Sequence, residues 1–552
     1  MYIEPFVLRE ATLGQILDAT IARYPDNDAI VYVDRDYRQT WREFGDEVDV
    51  LAKGLLALGV KKGDKVAIWA SNVPFWISLM FATARIGAAL LTVNTSYRES
   101  EVEYLLRHSE CENLVVIDGL RDHDYLQTIN TLIPELRTQP RGELRAANLP
   151  HLKRVIFLGV EKHRGMYSIP ELKALSVMVS SEEYEACKAA VRPHDVVNMQ
   201  YTSGTTGFPK GVMLSHVNIG NNGYWIGYHQ AFTPKDRVCL PVPLFHCFGC
   251  SLGVMACVNH GAAMIVLESF NPVQVMTAVD VERCTALYGV PTMFIAILEH
   301  KIFDRIDFSS LRTGIMAGSV CPEPLMRRVA EKMNLREITI VFGLTESSPG
   351  MTQTHADEEF QRRVSTVGRA MPGVEVRVAD PATCEELPRG RQGEVICRGY
   401  NVMKGYYNMP EETAQAISPE GWLHSGDLGV MDDDGYLVIT GRIKDMIIRG
   451  GENVYPREIE EFLSGMEGVM DVQVVGVPSR KYGEEVGAFI IPRPGVDIAP
   501  EDVRDFCRGR IAWHKVPRYV TMVNSFPLTA SGKVQKYLLR EKAAELFPEI
   551  ME

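Results

Sequence analysis

The stretch YTSGTTGFPKG at 201–211 has the residue types of a phosphate cradle. Hydroxyls at Thr202, Ser203, Thr205 and Thr206 are interleaved with Gly204 and Gly207, and Phe208, Pro209, Lys210 and Gly211 follow. Glycines open backbone conformations closed to other residues, so N–H groups can turn toward an anion, while the hydroxyls add donors and the lysine adds a point charge. A polar surface turn is the plainer alternative. The lysine, the proline before it and the apolar lead-in DVVNMQY at 195–201 favour phosphate over that turn. The Walker A pattern does not fit, because it needs G-x-x-x-x-G-K-[ST] with a helix beginning at the lysine. Here Lys210 is followed by Gly211 and by the apolar Val212, Met213 and Leu214, and Ser215 is the first candidate helix cap. The loop is therefore predicted to join two extended segments.

The same stretch resembles the signature loop of the adenylate-forming superfamily, which contains acyl-CoA synthetases, the adenylation domains of peptide synthetases and luciferases. That resemblance implies further motifs in a fixed order, and the chain carries them. PLFHCFG at 243–249 is similar to the segment in which an aromatic residue or histidine contacts the carboxylate being activated, which implies this role for His246. Relatives that activate α-amino acids have an aspartate at the next position, where this chain has Cys247, so an amino-acid substrate is not expected. The segments MAGS at 316–319 and VFGLTE at 341–346 resemble the adenine-binding loop and the motif after it, bringing in Gly318 and Ser319. Phe342 and Gly343 offer a face on which a purine can stack, although the family more often has tyrosine at Phe342. Thr345 offers a hydroxyl, and Glu346 a carboxylate suited to magnesium, which favours few carboxylates together with phosphate oxygens. In GWLHSGDLG at 421–429, Asp427 can accept from both ribose hydroxyls, and Arg442 can donate to the sugar or a phosphate. The resemblance makes Lys444 the hinge of a small C-terminal domain and puts Gly450 and Gly451 where a pantetheine arm would pass. PLTASGKVQK at 527–536 matches the last motif, which implies that Lys533 approaches the α-phosphate and the substrate carboxylate.

Taken together, the resemblance implies an acid:CoA ligase using ATP, magnesium and coenzyme A, with Lys533, Glu346, His246 and Thr202 as catalytic groups. By family position the acid pocket is lined by Trp225, Tyr228, His246, Cys247 and Phe248. Tyr288, Gly289, Val290 and Met316 complete it. These residues supply apolar surface and no fixed cation, so the expected substrate is a hydrophobic monocarboxylate of medium chain length, each buried methylene adding roughly 0.8 kcal/mol. An enzyme that loads an aryl or fatty acid onto a carrier protein shares every motif. From another class, an inactive nucleotide-binding scaffold would be expected to have lost Lys533, Glu346 or Asp427, and all are retained.

The elements that position these residues are legible in outline. At 552 residues the chain is too long for one core, and it is expected to divide into an AMP-binding domain at 1–440 and a mobile α+β domain at 441–552. The fold class is α/β: a large domain of β-sheets flanked by helices, with a small barrel-like subdomain, plus the smaller C-terminal domain. Lys65 to Ala70 reads as a strand, Pro74 opens a helix that Gly87 ends, and Ala88 to Val93 is the next strand, a β-α-β unit of a parallel sheet. The apolar run at 76–93 is broken by Arg85 and Gly87 and reads as helix then strand rather than a membrane span. Residues 138–150 lack periodicity and read as an exposed loop. In the C-terminal region Pro456 and Pro500 open helices, and 472–477 and 489–492 are extended. A net charge of -13 excludes nucleic acid as a general partner. MYIEPFVLREATLG does not read as a secretory signal, and with eleven cysteines this predicts reduced thiols in the cytoplasm. Cys247-x-x-Cys250 with Cys257 nearby lies in apolar sequence and reads as buried small hydrophobes. Homo-oligomerisation is left open.

Overall fold

A computed structural model describes residues 5–202, 209–319, 321–450 and 452–547. The expected β-α-β unit is present: strand Lys65–Trp69, helix Trp76–Ile86 and strand Ala89–Thr92, with Lys65 through Ile68 in parallel register with Ala89 through Thr92. The helix is buried on every side, which is why its sequence is apolar throughout. Its cation, Arg85, is buried between the carboxylates of Asp18 and Asp49. The helix begins at Trp76 rather than at Pro74, because Phe75 takes a left-handed φ of 73° ahead of it; Gly87, at φ 75°, ends it as expected. Among the described residues no helix is long and apolar enough to cross a membrane.

This unit lies within an eight-stranded sheet. Strand Val196–Thr202 runs parallel to Ala89–Thr92, then pairs antiparallel with Lys210–Ser215, Thr202 standing opposite Lys210. The segments flanking the phosphate loop are thus both extended, as predicted. Ser215 caps helix His216–His229, its side chain accepting from the Asn218 amide. The edge strand beyond is Gly405–Tyr406.

A nine-stranded sheet faces it across a shared core that includes Trp69, Trp76, Trp225 and Tyr288. Its parallel strands include Ala286–Gly289, Thr313–Ala317 and Glu337–Gly343, with Gly350–Gln353 antiparallel next to the last. Ligands of such sheets bind beyond the carboxyl ends of the strands. Thr202, Val290, Gly318 and Gly343 all fall at those ends.

A four-stranded antiparallel sheet, Val374–Ala379, Gln392–Gly399, Leu423–Met431 and Leu437–Arg442, forms the third part of the large domain. The C-terminal part has a five-stranded sheet built on the hairpin of Val469–Ser479 and Gly483–Pro492, with helices Pro456–Ser464 and Pro500–Cys507 on a core of its own. The strand Leu437–Arg442 runs across the expected boundary at 440, and the chain leaves its sheet at the turn Ile443–Asp445, which contains Lys444. Residues 138–150 form no helix or strand, but Leu144, Ala146 and Leu149 are buried, so the loop is anchored. All eleven cysteines are free; Cys247, Cys250 and Cys257 are buried, and no group of potential metal ligands surrounds them among the described residues.

Candidate active site

Glu346 sits on a short turn, Thr345–Ser347, just beyond the strand Glu337–Gly343. The turn is possible because Gly343 passes the chain so closely that an added Cβ would lie 1.7 Å from the Pro349 carbonyl oxygen. The Glu346 carboxylate is buried, and its Oε1 accepts from Thr202 Oγ1 at 3.3 Å and from the Tyr406 hydroxyl at 2.8 Å. The Glu346 carbonyl also accepts from the Met403 amide at 2.8 Å, so the edge segment carrying Tyr406 holds this residue from both ends. The Lys210 ammonium lies 4.9 Å from the centre of the Tyr406 ring. Tyr406 therefore ties Glu346 to the far flank of the phosphate loop. The loop's flanks are held in turn by helix Glu99–His108: Tyr104 donates to the Pro209 carbonyl at 3.2 Å, and the Tyr201 hydroxyl lies 2.7 Å from His108 Nδ1. Ser203, Gly204, Thr205, Thr206, Gly207 and Phe208 lie outside the described residues.

Lys533 reaches this region from the C-terminal domain. It follows a tight turn in which the Lys533 amide donates to Thr529 Oγ1 at 3.0 Å and Gly532 takes a φ of 82°. An added Cβ at Gly532 would come within 2.8 Å of Val290, so glycine allows the turn to press against the large domain. Thr292 Oγ1 donates across that contact to the Gly532 carbonyl at 3.5 Å. Gly318, at φ 90°, leaves room on the other side for the lysine stem, whose Cε would lie 3.5 Å from an added Cβ there. Burial pulls the Lys533 pKa below the ordinary lysine value; Arg442 adds to the fall, while Cys247, Asp427 and Glu346 oppose it. No hydrogen bond or ion pair of the Lys533 ammonium is present among the described residues.

His246 faces the same space. Its Nδ1 accepts from the Phe248 amide at 3.2 Å, so in the neutral ring Nε2 carries the proton. Burial, with Lys533 adding to it, lowers the imidazole pKa to about 3 and keeps the ring neutral. The Cys247 thiol is 3.7 Å from Thr345 Oγ1, and burial raises its pKa to about 11, so it too stays neutral. On the opposite wall Asp427 and Arg442 pair across adjacent strands, Arg442 Nε donating to Asp427 Oδ1 at 2.7 Å. Burial raises the Asp427 pKa and the Arg442 guanidinium counters it.

Residues 17–407 match the AMP-binding enzyme family, and residues 458–533 match the AMP-binding enzyme C-terminal domain. The chain is an AMP-binding enzyme. YngI of Bacillus subtilis (strain 168) is 52% identical over 540 residues, covering 98% of each chain. The mitochondrial medium-chain acyl-CoA ligase ACSF2 of Danio rerio is 39% identical over 97% of this chain and 89% of its own. ATP-bound MatB from Rhodopseudomonas palustris superposes with a TM-score of 0.82 at 30% identity, covering 97% of this chain and 99% of that one. The anthranilate CoA ligase AuaEII, in complex with anthranoyl-AMP, gives a TM-score of 0.84 at 25% identity, covering 98% of each.

In this AMP-binding enzyme the residues expected to line the acid pocket are gathered unevenly. Trp225, Phe248, Tyr288 and Val290 share one buried cluster, with the partly buried Tyr228 packed against it. The rings of Phe248 and Tyr288 stack with centroids 5.9 Å apart, and Gly289 is backed by Phe294. Met316 does not join them. It packs with Leu287, Phe294 and Met326 in the cluster on the other face of the nine-stranded sheet, because side chains alternate along Thr313–Ala317. Phe342 and Gly343 close the strand Glu337–Gly343 as expected, and Thr345 and Ser319 lie just beyond strand ends, Thr345 buried and Ser319 exposed. Gly450 has a φ of 61° and faces Tyr482 within the C-terminal domain, and Gly451 lies outside the described residues. Tyr406 was missed in the sequence, as was Glu394, which accepts from the Gly426 amide at 2.9 Å and pairs with His424 at the same distance to hold the turn before Asp427.

Proposed function

We propose that this enzyme is an AMP-forming acid–thiol ligase that activates a hydrophobic carboxylic acid of medium chain length and transfers it to coenzyme A. The observation that carries this reading is the seat of Lys533, a half-buried cation that the C-terminal domain brings into the field of Asp427, Glu346 and Arg442 and beside His246. A carboxylate and a triphosphate repel each other, and a cation placed between them offsets that charge as the reacting atoms approach.

In the first step a carboxylate oxygen bonds to the α-phosphorus of ATP as the bond to the pyrophosphate breaks, leaving acyl-adenylate. His246 Nε2–H donates to the carboxylate and fixes it, while Lys533 bridges carboxylate and α-phosphate. Asp427 accepts from the ribose hydroxyls, with Arg442 beside it, and Phe342 with Gly318 and Ser319 borders the purine. Thr202 and Lys210 flank the triphosphate. Glu346 suits magnesium: Oε1 is fixed by Thr202 and Tyr406, and Oε2 has no hydrogen bond among the described residues. Magnesium held there would neutralise triphosphate charge. In the second step a thiol attacks the acyl carbon and AMP leaves. Lys533 occupies the side from which that thiol would come, so residues 441–552 rotate about Lys444 and the Gly450–Gly451 loop takes its place. The apolar cluster around Tyr288 supports a fatty or aryl-aliphatic tail, and the name of the ACSF2 relative supports medium length. Eleven free thiols fit a reducing compartment such as the cytoplasm.

The test is pyrophosphate release from ATP across a panel of acids, with and without coenzyme A. Octanoate and its neighbours should be the best substrates, and best activity on an α-amino acid or a dicarboxylate would overturn the assignment.

A further inference from the structure

On the four-stranded sheet a thiol, an imidazole and a carboxylate stand in line. Cys384 lies in the turn between strands Val374–Ala379 and Gln392–Gly399. It is the exposed member of the eleven cysteines; Cys187 and Cys321 are half-buried and the others buried. Its Sγ is 3.7 Å from His424 Nε2, and His424 Nδ1 is 2.9 Å from Glu394 Oε2. A carboxylate only accepts, so in the neutral ring Nδ1 carries the proton and the Nε2 lone pair faces the thiol. Glu394 is 5% exposed, and its other oxygen accepts from the Gly426 amide at 2.9 Å, which fixes the carboxylate against the imidazole. The cysteine is held as firmly. Its φ of 60° is one that a residue with a side chain seldom takes, and its amide donates to the Asp380 carbonyl at 2.8 Å. The Asp380 carboxylate accepts from the Ala382 and Thr383 amides at 2.8 and 3.1 Å and so ties the same turn.

A nucleophile, a base and a third group that orients the base are the parts that activate a weak nucleophile. Here they face open solvent on a turn. Disulfide exchange suits such a place, because it asks only that a thiolate approach a sulfur in line and needs neither a deep pocket nor oxyanion donors.

We propose that Cys384 is a site of reversible modification by disulfides of low-molecular-weight thiols, with His424 as its base and Glu394 as the positioning residue. The Cys384 S–H bond breaks and its proton passes to His424 Nε2, while Sγ bonds to one sulfur of the disulfide. The other sulfur leaves as a thiolate and takes the proton back from His424, so Cys384 is oxidised and the departing thiol is reduced. The test exposes the full-length enzyme to hydroxyethyl disulfide at pH 7 and follows labelling of each cysteine by mass. The reference is a synthetic peptide of residues 380–388, which carries the same flanking Glu385 and Glu386. A free thiol is only a few per cent ionised at pH 7, so Cys384 in the enzyme should react about tenfold faster than in the peptide. In His424→Gln, which cannot take the proton, the rate should fall to that of the peptide. Glu394→Gln should lose most of the gain, and should change nothing further in a protein that already lacks His424. Cys239 and Cys257, both buried, should stay unlabelled in every variant and report an intact fold. A wild-type rate at or below that of the peptide would overturn the site, and this comparison needs no variant to fold. A gain that survives His424→Gln would overturn the assignment of the base, and a further loss on adding Glu394→Gln to His424→Gln would overturn the positioning role.

Discussion

Replacing Lys533 by alanine separates the two half-reactions at one atom. The side chain spans the gap between Gly318 and the His246–Cys247 corner, and its ammonium has no ion pair among the described residues to lose. Removal therefore strands no carboxylate, and the folded state should change by no more than about 1 kcal/mol. The loss falls on charge that develops between carboxylate and α-phosphate, for which a preorganised donor in a buried site is worth roughly 3–4 kcal/mol, or ~10²-fold to 10³-fold in rate. Acyl-adenylate formation, read by pyrophosphate release, should drop by that factor, while conversion of a supplied acyl-adenylate and coenzyme A to thioester should stay near the wild-type rate. The pH profile gives a second readout. Burial lowers the Lys533 pKa below 10.5, and the ammonium is the active form, so kcat/KM for adenylation should be lost as pH rises through that lowered value. Lys533→Ala should lack this alkaline limb. Equal losses in both half-reactions, or an alkaline limb that persists in the variant, would refute the assigned role.

Three further outcomes follow from the geometry. Tyr406→Phe removes the 2.8 Å hydrogen bond to Glu346, and since a bond to a charged group is worth about 1.5–3 kcal/mol, adenylation should fall at least ~10-fold; an unchanged rate would take Tyr406 out of the site. Lys444→Pro should restrict the turn Ile443–Asp445 and slow thioester formation while adenylation remains measurable, and equal effects on both steps would remove the hinge assignment. Met316→Ala should destabilise the fold by roughly 2–5 kcal/mol in denaturant unfolding without changing the preferred chain length, because its side chain is fully buried on the face away from Tyr288. A shifted chain-length profile in that variant would return Met316 to the pocket.

Much of the frame could be read from the sequence because local signals and tertiary role agree there. Gly87, Ser215, Pro456 and Pro500 each mark a helix end with the chemistry that a helix end requires, and the strands flanking 203–208 follow from apolar runs on either side. Met316 was misplaced because Thr313–Ala317 is buried on both faces, so polarity does not alternate and family position gives the strand without the face. Tyr406 left no local trace: it sits on a two-residue strand in KGYYN, and its link to Glu346 arises from antiparallel pairing with Val212, 194 positions away. The helix start at Trp76 was missed by two positions because Phe75 adopts a left-handed conformation that an aromatic residue seldom takes.

The central claim is that a carboxylate oxygen of the substrate attacks the α-phosphorus of ATP, and transfer of an isotopic label tests it directly. The purified enzyme is turned over with ATP, coenzyme A and octanoate whose carboxylate carries a heavy oxygen isotope, and the nucleotide and phosphate products are analysed by mass. The account predicts octanoyl-CoA with pyrophosphate, and AMP that has gained one labelled oxygen per turnover. Unlabelled AMP, or ADP with labelled orthophosphate, would contradict it.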